Sequence, residues 1–153
     1  MEGYMDKKYE GKLTKQDVME LLPQRDPILL IDSADDLIPG KSVVAHFLVK
    51  PEMEVFKGHF PGNPVFPGVY TMEACAQASI LCATSLDRYF GKTTLYLGIN
   101  NAKFKGMVKP GDTINLHVTV TGEREEKAIV FTHIDVDVEG TPVVEGDVVM
   151  AYR

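Results

Sequence analysis

Three things are scarce in this chain, and each scarcity removes a class of function. Only two cysteines occur, Cys75 and Cys82. They fall on what reads as one helix, roughly 10 Å apart along its axis. That is too far for a disulfide, and nothing points to an oxidising compartment. Basic residues are fewer than acidic ones, 16 against 22, for a formal charge of −6. Such a balance argues against general affinity for nucleic acid or for an anionic membrane surface. Long apolar runs are missing as well. The polar start MEGYMDKKYEGK has neither the core of a secretory signal nor the length of a membrane span, so a cytoplasmic protein is expected. No internal repeat is visible. The 153 residues predict a loosely held tail over 1–12 and one domain over 13–153, built on a single core.

The informative stretch is GHFPGNPVFPGVYTME, residues 58–73. Pro61, Pro64 and Pro67 fix their own φ and push Phe60, Asn63 and Phe66 toward extended backbone, so the segment cannot be helical. Gly58, Gly62 and Gly68 supply positions that such a path needs. His59 therefore sits on a stiff, irregular loop, where a positioned functional side chain is expected. After Pro67 the breakers stop, and residues 69–88 read as one helix of about 20 residues, ended by Gly91. Val69, Glu73, Ala76, Ile80 and Ala83 share one stripe while other apolar residues cover the remaining faces, which marks a buried helix. Glu73 is then a candidate buried acid, and burial favours the protonated, proton-donating form. At the helix start the N–H groups around Gly68 suit a developing oxyanion.

Around this helix the pattern is simpler. Thr14 and Asp17 form a weak capping box ahead of Val18, Met19, Leu21 and Leu22, a short helix that Pro23 stops. Residues 28–31 are a first strand or a buried connection. Residues 43–49 alternate as a strand. From Thr94 on the period is two: residues 95–99 and 102–107, a turn at Pro110–Gly111–Asp112, then 114–120, and a hairpin of 128–138 with 142–152 about Gly140. The sum is five or six strands, mostly after the long helix, and an α+β domain in which an antiparallel sheet wraps one central helix, the hotdog fold.

Three runs carry a family likeness: LLPQRDPILLID (21–32), GHFPGNPVFPGVYTMEACAQ (58–77) and YLGINNAKFKGMVKPGD (96–112). They resemble the beta-hydroxyacyl-acyl-carrier-protein dehydratases of type II fatty-acid synthesis. The resemblance implies that His59 is the catalytic base, Glu73 its acid partner and Gly68 the oxyanion contact. It also implies homodimers, or trimers of dimers, in which each site takes its histidine from one subunit and its carboxylate from the other. Family members usually carry histidine at the position of Gln24, an aromatic at Asp26 and an Asp-Lys pair at Asn100–Asn101.

The implied activity is dehydration of (3R)-3-hydroxyacyl-acyl-carrier-protein to the trans-2-enoyl thioester, with no cofactor and no metal. Phe66 and Ile80 are expected to border an apolar acyl channel. Lys103, Lys105 and Lys109 are the candidate docking patch for the acidic carrier protein. His46, His117 and His133 are assigned no role, and the cysteines are core fillers. The rivals are a hotdog acyl thioesterase, which needs no His59, and a non-catalytic acyl-binding relative. A coenzyme A ester hydratase lacks its characteristic Gly-Asp-x-Asn-Pro-like loop here.

Overall fold

The computed structural model describes residues 7–59 and 61–153. The first six residues of the expected tail, and Phe60, lie outside them. The rest of that tail is fastened. Tyr9 is buried and its hydroxyl donates to Glu20, Lys7 pairs with Asp17, and Gly11–Leu13 forms a short strand, β1. The ring of Tyr9, stacked on Phe90, holds residues 7–12 against the domain.

Helix α1 (Lys15–Leu21) opens on the capping box. Thr14 Oγ1 accepts from Asp17 N–H, and Asp17 returns the bond to the Thr14 N–H. Residues 28–31 resolve as the buried connection rather than a strand, with Leu29, Leu30 and Ile31 in the core. Strand β2 (Ser33–Ile38) was not visible in the sequence, because its SADDLI run lacks a strand pattern. Its Asp35 is met across the sheet by His46 of β3 (Ser42–Leu48) at 2.8 Å. After a 3₁₀ turn over Glu54–Lys57 and the proline-rich loop comes α2, Gly68–Thr84. It stops at Ser85, four residues short of expectation, and tight turns carry the chain to β4 (Thr94–Phe104). The two strands expected over 95–107 are one. A bulge near Asn101, in left-handed conformation at φ 54°, produces the break in its pattern. Strands β5 (Thr113–Arg124), β6 (Ile129–Val138) and β7 (Thr141–Tyr152) complete the sheet.

All seven strands pair antiparallel in the order β1-β2-β3-β5-β6-β7-β4. Three strands precede α2 and four follow it, so most lie after the helix, as the sequence pattern predicts. The sheet's inner face closes on α2. From Ala74 to Thr84 every helix residue is buried, and each Leu or Ile so placed contributes about 1.5–3 kcal/mol. Ser79 pins the helix to the sheet, donating to Cys75 O and sharing a 2.8 Å bond with Thr132 of β6. The outer face is polar. His46, His117 and His133 each meet a carboxylate there.

Candidate active site

His59 is held at both ends. Its backbone N–H reaches Val55 O at 3.1 Å, and its ring Nδ1 lies 2.7 Å from Val65 O. A carbonyl only accepts, so Nδ1 carries the hydrogen and the neutral ring keeps its lone pair on Nε2. The loop between these anchors turns through Gly62 at φ 86°. It is then tied down by Phe66, whose N–H donates to Val108 O and whose buried ring meets Phe47, Phe56 and Tyr70.

Gly68 opens α2. A Cβ there would stand 2.6 Å from the ring of Phe104, so the missing side chain is what lets that ring lie on the first helical turn. Gly68, Val69, Phe66 and Phe104 line one groove of about 350 Å³ with Val65, Thr71 and Val108. Among the described residues no acceptor takes the N–H of Gly68 or Val69, as expected of the first groups of a helix.

Glu73 lies elsewhere on the helix. At 100° per residue it is turned to nearly the opposite side from Thr71. It is half-buried rather than fully buried, because it sits one turn short of the stretch the sheet encloses. Its Oε2 accepts from Gln77 Nε2 at 2.8 Å. Gln77 is itself fully buried and also clamps the 28–31 connection, donating to Ile28 O and accepting from Leu30 N–H. The sequence reading passed over Gln77. An amide four residues after an acid, inside an otherwise small and apolar run, was the available signal. Tyr96 of β4 stands beside this turn with its hydroxyl 3.3 Å from Met72 O. Burial, then Cys75 and Glu73, push its phenol pKa up, so it stays protonated.

The remaining expected residues divide. Phe66 borders the groove, whereas Ile80 is closed in the core. Lys103, Lys105 and Lys109 are exposed along β4 and the loop after it, and Lys105 is paired with Glu145 at 2.5 Å. Gln24 keeps a buried Oε1 without a partner, and Asp26 borders a second groove, of about 400 Å³, with Ile28, Phe47 and Tyr70. Cys75 and Cys82 are buried, and burial raises both thiols, that of Cys82 to about 12. Among the described residues one group has metal-like spacing. His133, Asp135 and Glu145 hold their ligand atoms within 4.8 Å on the outer face of the sheet. Lys105 already neutralises its glutamate.

The model of the FabA-like domain matches residues 22–147. The chain is 44% identical over 120 residues to the 3-hydroxyacyl-acyl-carrier-protein dehydratase FabZ of Pediococcus pentosaceus, covering 78% of this chain and 80% of that one. It is 37% identical to the FabZ of Oenococcus oeni, over 92% of this chain and all of that one. For the FabZ of Enterococcus faecalis the figure is 48%, over 70% and 76%. In fold it is similar to a chain of the dehydratase heterocomplex ApeI:P of Xenorhabdus doucetiae, with a TM-score of 0.75 at 15% identity over 89% of this chain and 90% of that one. A hypothetical thioesterase with coenzyme A from Streptococcus pneumoniae gives a TM-score of 0.60 at 18% identity, over 78% and 84%. At those identities the likeness shows the hotdog architecture alone.

Proposed function

The chain belongs to the FabA-like domain family, and on that premise we propose that it dehydrates 3-hydroxyacyl-acyl-carrier-protein to the trans-2-enoyl thioester in fatty-acid biosynthesis. The enzyme is a hydro-lyase. It must take a weakly acidic proton from C2 and expel hydroxide, a poor leaving group, from C3.

The observation that carries the residue assignment is the Val65 carbonyl on His59 Nδ1. It fixes the tautomer in which Nε2 is the base. His59 Nε2 takes the C2 proton, and the electron pair moves onto the thioester oxygen, which the Gly68 N–H at the head of α2 holds. The enolate then collapses, forming the C2–C3 double bond and breaking the C3–O bond. Glu73 gives the departing hydroxyl its proton, and water leaves. Because Gln77 donates into Oε2, the proton to be given resides on Oε1. The acyl chain runs along Phe66.

Two copies complete the site. Within one chain His59 is hooked to the Val65 side of the groove at Gly68, while Glu73 faces away from it across α2. The sheet ends on β4, an edge whose Leu95, Leu97 and Ile99 are exposed, and Val69 beside it is 71% exposed. An open apolar edge of this kind is a pairing surface. A second copy seated there brings its Glu73 to this chain's His59. Lys103, Lys105 and Lys109 stand along and just past the same edge, where an acidic carrier protein docks. No helix among the described residues is long and apolar enough to cross a membrane, and a cytoplasmic place suits a carrier-protein substrate.

Incubating the purified protein with 3-hydroxybutyryl-carrier protein tests the reading. Enoyl absorbance should rise, and should be lost in His59→Asn and in Glu73→Gln. A free thiol and a carboxylate as the only products would replace this reading with a thioesterase.

A further inference from the structure

The buried polar side chains of α2 are satisfied with one exception. Gln77 makes three hydrogen bonds; Ser79 and Thr84 each make two; Ser85, at the helix end, donates to Cys82 O. Thr71 is 1% exposed, and its Oγ1 has no partner among the described residues. A helical threonine commonly turns its hydroxyl onto the carbonyl four residues back, as Thr84 does on Ile80 O at 2.7 Å. At Thr71 the corresponding carbonyl, Pro67 O, instead receives the backbone N–H groups of Tyr70 and Thr71. A buried hydroxyl left this way is destabilising, and valine would fill the same space without the penalty.

Its position explains the oversight in the packing. Residues three apart share a helix face, and helical side chains lean toward the N-terminus. Thr71 therefore stands over Gly68, and both line the groove that Phe104 closes. Two other buried polar atoms lack partners among the described residues, Gln24 Oε1 and Tyr152 Oη, but neither residue borders this groove. The head of α2 thus offers two unclaimed N–H groups, at Gly68 and Val69, and one unclaimed hydroxyl on the same face.

We propose that Thr71 is a further catalytic residue, whose hydroxyl donates to the same thioester oxygen that the Gly68 N–H holds. The inference rests on the dehydratase reading and deepens it. When His59 takes the C2 proton, negative charge gathers on that oxygen, and a second preorganised donor beside the first lowers the barrier. The ring of Phe104 stands 2.6 Å from where a Cβ on Gly68 would lie. It is 56% exposed and turns outward as the thioester enters.

Thr71→Val and Thr71→Ser test this with three readouts. In Thr71→Val, kcat for enoyl formation falls about 100-fold, the loss seen on removing one oxyanion donor, while KM changes little. Thr71→Ser, which restores the hydroxyl, recovers most of that rate. Thermal stability of Thr71→Val is equal to or above that of the parent, because an unsatisfied group has gone. Calorimetric binding of trans-2-butenoyl pantetheine, which needs no turnover, is several-fold weaker in Thr71→Val. Parental turnover and binding in Thr71→Val would overturn the proposal. So would a loss that tracks a lowered melting temperature and that serine does not repair. If the parent makes no enoyl product, the dehydratase reading fails while the binding arm still decides the role of Thr71.

Discussion

The two halves of α2 are built to different rules. From Ala74 to Thr84 the helix is buried without interruption and its polar side chains are paired, to the sheet, to the 28–31 connection or to its own carbonyls. From Gly68 to Glu73 it carries an exposed valine, a glycine set against the ring of Phe104, a threonine hydroxyl with no partner among the described residues and a half-buried acid. One helix therefore does two jobs in series. Where its groups are satisfied they hold the sheet; at the other end two N–H groups and one hydroxyl have no partner among the described residues.

That contrast can be broken by substitution. The largest effect belongs to the open end and its loop. His59→Asn and Glu73→Gln should each lower the rate of enoyl formation by about 10²–10⁴-fold with the melting temperature unmoved. A comparable loss of stability would make either group structural. Next is the closed end. Leu81→Ala should cost about 2–5 kcal/mol in urea unfolding, while the rate per folded molecule stays near the parent's. A smaller effect tests the ring on the glycine. Gly68→Ala places a Cβ against the exposed ring of Phe104, which can swing aside, and should cost about 1 kcal/mol, the low end of overpacking. Phe104→Ala should relieve most of it in a double-mutant cycle, and additive costs would show that the ring was not the obstacle.

The smallest effect lies just past the closed end, where Arg88 grips Glu123 through two bonds at 2.8 and 2.9 Å and Tyr89 adds a third at 2.6 Å. Arg88 first, then Tyr89, holds the Glu123 carboxyl below its ordinary range. The stabilisation is therefore complete above the unfolded carboxylate value of about 4.3 and fades as pH falls through the depressed folded value. Glu123→Gln should cost about 1 kcal/mol at neutral pH, with the gap to the parent closing in acid. A gap that persisted at low pH would point to packing instead of charge.

Most of the scaffold was legible, because periodicity records burial directly. The alternation in β5, β6 and β7 and the all-round apolar run of α2 each mark a surface that must be covered. Strands β1 and β2 were not legible. SADDLI becomes a strand only because β1 and β3 flank it and His46 answers Asp35. The constrained loop announced His59 through its prolines, yet no spacing told that Val65 would set its tautomer. Glu73 lay on a stripe with buried residues, which overstated its burial, since a stripe does not say where along its length the sheet ends. Thr71 escaped notice altogether. Unsatisfied hydrogen bonding is a property of surroundings, and composition does not record it.

Gln77 has one more implication. Its two bonds to the connection go to the main chain, Ile28 O and Leu30 N, and its third goes to the carboxylate of Glu73. The aim of the acid is therefore indifferent to which side chains the connection displays. Asp26 borders the nearby groove, and a different side chain there would leave both main-chain anchors of Gln77 in place.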